Sequence, residues 1–224
     1  MGGTAAVNAV PIVGQPVAYG TGFIALVVVG LSRMVGQYFS TFAHEGGKML
    51  VGGFLCRGLV GFTIKDETAR GSTNWVDKGF VLRQPLINFA GTAAPPLFGL
   101  AGAGLIAKGN GFAVLFSAAF LSAVALLFAD NGLARLIPAI VIAAVFAVAL
   151  RGDAENQATL AVTLVWLLLF GGLADAWRAN TTIDDAKVLS DRLLLPGWFW
   201  KLVWIAIGVV SLFVGGRLLL VPGA

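Results

Sequence analysis

Runs of about twenty apolar residues recur along this chain, and no other feature of it limits the possible folds so tightly. A helix rises about 1.5 Å per residue, so crossing about 30 Å of hydrocarbon takes about twenty residues. Residues 12–32, 39–55, 85–107, 112–129, 133–150, 158–177 and 198–220 are long and apolar enough, or nearly so, to meet that requirement. They predict seven spans, or six if the second is only partly inserted. Charge supports the same class. Only 12% of the 224 residues are charged and the mean hydropathy is +0.89, whereas an ordinary soluble domain carries about 25% charge. Such a chain cannot cover a water-facing surface, so lipid is the solvent for most of it. The 30 glycines suit helices that approach closely.

The net charge of +4 suggests basic cytoplasmic loops rather than nucleic-acid binding, for which no motif exists. If all seven spans cross, the side holding residues 57–83 collects Arg57, Lys65, Arg70, Lys78, Arg83, Arg135, Arg178, Lys187 and Arg192. The other side holds Arg33, Lys108, Arg151 and Arg217. This asymmetry predicts that the N-terminus and the 57–83 loop are cytoplasmic in a multi-pass protein of a bacterial plasma membrane. No basic residue precedes the first apolar stretch, so no cleavable signal peptide is expected, and the first span does the targeting. Cys56 is the single cysteine, which rules out an intrachain disulfide and a cysteine-rich metal cluster.

Two polar segments interrupt the spans, and the whole is read as one integral membrane domain, 1–224. In 57–83, "GFTI" and "STNWV" are strand-like around a turn near "DETARG", which predicts a short β-hairpin. In 178–197, Thr182 can cap a short amphipathic or re-entrant helix. Asp184 and Asp185 would lie in its first turn, with Leu189, Leu193 and Leu194 on one side. Gly-Asn-Gly at 109–111 and Asp130-Asn131-Gly132 are turn signals. Trp75, Trp177, Trp198, Trp200 and Trp204 are expected at the membrane interface, and Pro95-Pro96 is expected to kink its span. The fold class is thus an all-α transmembrane bundle of six or seven spans with a small cytoplasmic β-hairpin.

Within the second span the sequence reads "FAHEGGKM". In His-Glu-x-x-His, residues i and i+4 share a helix face and aim two imidazoles at one zinc ion, and the Glu serves as general base on the metal-bound water. Here the fifth position is Lys48, whose ammonium has no lone pair to donate. No second histidine exists, and Cys56 lies about 18 Å further along the helix. The bland alternative is that His44 and Glu45 are a polar pair satisfied inside a membrane helix, and that Asp184 and Asp185 complement a helix dipole.

Taken together, "HEGGKML", the hairpin at 61–76, "NFAGTAAPPLFGL" at 88–100, "DNGLARLIP" at 130–138 and "DDAKVLSDRLLLPGWFW" at 184–200 resemble the site-2 protease type of intramembrane zinc metalloprotease, in its compact B-like bacterial branch. The resemblance covers roughly residues 38–220 and implies a site-2-protease-like core. It places the first zinc ligand on His44, the general base on Glu45, the second ligand on Lys48 and the late aspartate ligand on Asp185, with Asp184 as the alternative. Lys48 departs from the pattern. As a cation in the metal's place it would face Asp185 as an intramembrane ion pair, with Glu45 joining, because a lone charge at that depth needs a partner. The expected protein is therefore a degenerate, zinc-free family member that binds another integral membrane protein as an accessory or assembly subunit. The second expectation is an active zinc protease with an altered site and Glu45 as base. The third is a small-solute carrier, since buried charge can mark a pathway.

Overall fold

A computed structural model describes residues 14–31, 33–55, 58–65, 70–75, 83–150, 154–182 and 185–221. Asp184, Cys56, Arg57, Lys78 and most of the proposed hairpin turn lie outside the described residues. Among the described residues, eight helices and one two-stranded sheet follow in the order α1 (Gln15–Leu31), α2 (Arg33–Phe54), β1 (Leu59–Ile64), β2 (Gly71–Trp75), α3 (Arg83–Ala107), α4 (Gly111–Leu127), α5 (Gly132–Leu150), α6 (Ala154–Arg178), α7 (Asp185–Leu193) and α8 (Gly197–Leu220). Each of the seven apolar runs is a helix. The polytopic all-α bundle follows from the sequence because in lipid a span must satisfy its own backbone groups, as a helix does.

Among the described residues, fewer helices than apolar runs are long and apolar enough to cross a membrane unaided. Helices α3, α5, α6 and α8 are long and apolar enough to cross a membrane by themselves. Helices α1 and α2 pass the same test only as a pair bent by 95°, as in a broken span or a re-entrant loop. Helix α1 has only 17 residues, and α2 carries His44, Glu45 and Lys48 among its apolar residues. Helix α4 is apolar but only 17 residues long.

At the centre, α3 packs against α2, α6 and α8. Gly47 of α2 sets the α2–α3 approach, because a Cβ there would collide with Ala94 of α3. Pro95 and Pro96 lie inside α3, fully buried, and the helix runs unbroken past them. Prolines remove backbone donors, and packing against neighbours tolerates the loss in a membrane helix.

The turns act as clamps. Gly109 adopts φ 77°, and Asn110 caps α4 by accepting from the Ala113 amide at 3.1 Å. Asn131 caps α5 through the Ala134 amide, and it also pairs with both backbone groups of Ile64 in β1, at 3.3 and 2.6 Å. Phe62 of β1 adds backbone bonds to Phe128 and Asp130. The hairpin, antiparallel with Phe62 opposite Thr73, is therefore tied to the α4–α5 turn on one side and faces α2 on the other.

Two expectations change. Helix α7 ends at Leu193, and Leu194 takes φ 60° and is 93% exposed rather than sharing the buried side with Leu189. That left-handed residue is a common way to close a helix. The Thr182 hydroxyl donates to the Asn180 side chain, a local turn. Trp204 is buried, with its indole donating to the Phe89 carbonyl, and Trp75 packs against Gly52 of α2. Only Trp177 and Trp198 have the exposure of interface residues.

Candidate functional site

The site begins with one face of α2. Gln37, Thr41, His44, Glu45 and Lys48 recur at helical spacing and line a polar cavity of about 380 Å³. Its other walls are β2, the first turns of α3, the end of α6 and the start of α7. Gly91 of α3 makes room for the charged side chains: a Cβ there would lie 2.6 Å from Lys48 Cε and 2.8 Å from His44 Nε2. Gly71 of β2 does the same for Glu45, whose carboxylate occupies the space a Cβ would fill.

Asp185, the first residue of α7, is the hub. Its Oδ2 lies 2.8 Å from His44 Nε2, and its Oδ1 lies 3.1 Å from Lys48 Nζ. Lys48 Nζ is also 3.6 Å from Glu45 Oε1, so one ammonium sits between two carboxylates. Glu45 is 1% exposed, and its other oxygen accepts the Thr73 hydroxyl of β2. Helix α7 lies outside the candidate spans. Burial alone would push the Asp185 carboxyl up, but the Lys48 charge and the bonds from His44 and Lys48 outweigh it and hold the carboxyl at about 2. Asp185 is therefore a fixed carboxylate at neutral pH.

The structure brings His44, Glu45, Lys48 and Asp185 together; Asp184 is outside the described residues. Two further groups belong to the site. Asp175 of α6 lines the cavity, hydrogen-bonds with Ser40 and lies in the field of His44 and Arg178. The signal was present in "GGLADAW", an acid inside an apolar run, which in a membrane helix points to a functional position. Thr73 had no local signal, since only the hairpin's docking brings it to Glu45.

The donor set does not fit zinc. His44 and Asp185 meet at 2.8 Å, a hydrogen-bond distance. The second-ligand position holds an ammonium, and among the described residues no group of three His, Cys, Asp or Glu is placed to hold a metal ion.

The polar cleft, with a His-Glu pair on α2, a hairpin beside it and an aspartate from a late short helix, keeps the order of parts that the resemblance to site-2 proteases implies. The sequence model of the family described as Peptidase M50B-like matches residues 17–215. The chain belongs to that family, the site-2 protease type. Comparison with curated proteins and with solved structures gave no significant match.

Proposed function

We propose that this chain is a catalytically inactive member of the family, which binds another integral membrane protein as an accessory or assembly subunit. The observation that carries the reading is the Lys48 ammonium at the second-ligand position, held between Glu45 and Asp185. It neutralises the carboxylates that a metal would otherwise neutralise, and a buried pair with satisfied partners can persist without an ion. Glu45 is further engaged by Thr73, so the carboxylate that would activate water is already occupied twice. The cleft between α2 and α7 is then a place where a partner's segment docks rather than one where it is cut. The protein works in a bacterial plasma membrane, with the hairpin and the N-terminus on the cytoplasmic side, where the excess of basic loop residues belongs.

Zinc per chain, measured by elemental analysis after purification in mild detergent, tests the reading against Lys48→His. The expected result is no stoichiometric zinc in the native protein and about one ion in the variant, because the substitution restores a pair of imidazoles at i and i+4 on one helix face. A co-purifying membrane protein that is retained by Glu45→Gln completes the expectation. One zinc per native chain, or cleavage of a membrane substrate lost in Glu45→Gln, would overturn it in favour of an active protease.

A further inference from the structure

The opposite face of α2 borders a second cavity that shares no lining residue with the polar site. We propose that it is a binding site for one acyl chain of a bilayer phospholipid. The cavity has a volume of about 560 Å³ and lies between α2, α3, α4 and α6, with Phe42, Met49, Phe98, Leu121 and Leu168 among its walls. Among the described lining residues, two serine hydroxyls, of Ser117 and Ser122, are the only polar side-chain groups. Lining residues Leu164, Val165 and Leu168 come from the middle of α6, the span Ala154–Arg178, which sets the cavity at hydrocarbon depth. Gly53, Ala101 and Ser117 in its walls are exposed, so it opens to the outside of the bundle.

Size and chemistry select the occupant. Lining residues on α4 run from Val114 to Ala125, about 16 Å of helix axis. Water is excluded because it finds too few polar partners there. An apolar cavity of about 150 Å³ stays dry and accepts a benzene-sized guest, so this one accommodates about twenty carbons by the same measure. A long narrow cavity of that capacity, open toward lipid, matches a single acyl chain.

The space depends on glycine. Gly46 and Gly53, two turns apart on α2, line the cavity, and a Cβ on either would meet no atom within 4 Å. In the "HEGG" stretch, therefore, Gly47 closes the α2–α3 contact while Gly46 keeps the cavity open. The inference is independent of whether the polar site is catalytic.

Native mass spectrometry of the full chain, released from nanodiscs of palmitoyl-oleoyl phosphatidylglycerol, tests it. The native chain should keep a phospholipid adduct of that mass after looser lipids are stripped. Gly46→Leu and Gly53→Leu should each lower the adduct population about tenfold, the equivalent of about 1.4 kcal/mol of affinity. Leucine is the better helix former, so both variants should melt at or above the native temperature. Gly20→Leu, on an exposed and open position of α1 away from the cavity, should keep the adduct. If Gly46→Leu misfolds, Gly53→Leu alone decides. The proposal is overturned by a native chain without the adduct, by an adduct of fatty acid or detergent mass only, or by equal retention in a folded cavity variant and in Gly20→Leu.

Discussion

Helix α2 separates two cavities of similar size and opposite chemistry. On one face, about 380 Å³ is lined by His44, Glu45, Lys48, Asp175 and Asp185, and on the other about 560 Å³ is lined almost wholly by apolar side chains. At the polar site, charge is answered by charge: Lys48 meets two carboxylates, and Asp185 meets Lys48 and His44. The apolar cavity needs no such pairing, and its volume is set by two glycines rather than by a network. The polar face is therefore specific and brittle, since every group there depends on another. The apolar face is tolerant, since filling it disturbs no bond.

The contrast predicts a ranked set of mutational effects. Lys48→Met should be the most damaging, because it leaves the buried Glu45 and the partly buried Asp185 carboxylates without their cation. A loss of about 3–5 kcal/mol is expected in reversible unfolding in detergent. If Lys48→Met is neutral, the polar face is not held by its charges. Gly47→Leu should come next, at about 1–3 kcal/mol, because its Cβ overlaps Ala94 and the α2–α3 contact must open. Thermal melting measures this directly, and an unchanged midpoint would show that the approach of the two helices is not close.

Acidification should give a comparable or smaller effect through Asp185. Its folded value of about 2 lies below its ordinary value of 3.8, so its contribution is fully present above about pH 4 and is lost as pH falls toward 2. The size is about 2 kcal/mol, and it should be missing from the pH profile of Asp185→Asn. Gly46→Leu on the apolar face should have the smallest effect and the opposite sign. A stabilisation of up to about 1 kcal/mol is expected from helix propensity. A strong destabilisation by Gly46→Leu would erase the distinction between the two faces.

Much of this architecture is legible in the sequence. Each apolar run became a helix because period and length are local properties that lipid enforces. The strands "GFTI" and "STNW" lie in β1 and β2, and the two Asn turns lie where glycine and asparagine mark them. What failed was whatever depended on neighbours. Trp75 and Trp204 have the composition of interface residues, but packing against Gly52 and Phe89 took them inward. Leu194 continues an amphipathic pattern that the backbone ends one residue earlier. The four residues of the site were named from the family motif, while Asp175 and Thr73 joined them only through contacts between distant elements.

The sequence by itself determined that this chain lives in a membrane, which segments are helices, and that the zinc motif carries a lysine at its fifth position. Those are matters of composition and of spacing along one chain, where the energy is local and additive. The tertiary structure decided that Lys48 lies between Glu45 and Asp185, that Thr73 reaches the same carboxylate as Lys48, and that the far face of α2 is left open. Those outcomes bring together residues as far apart as Lys48 and Asp185, and only the packing of α3, α6, α7 and the hairpin around α2 fixes the distances on which charge pairing and cavity volume depend.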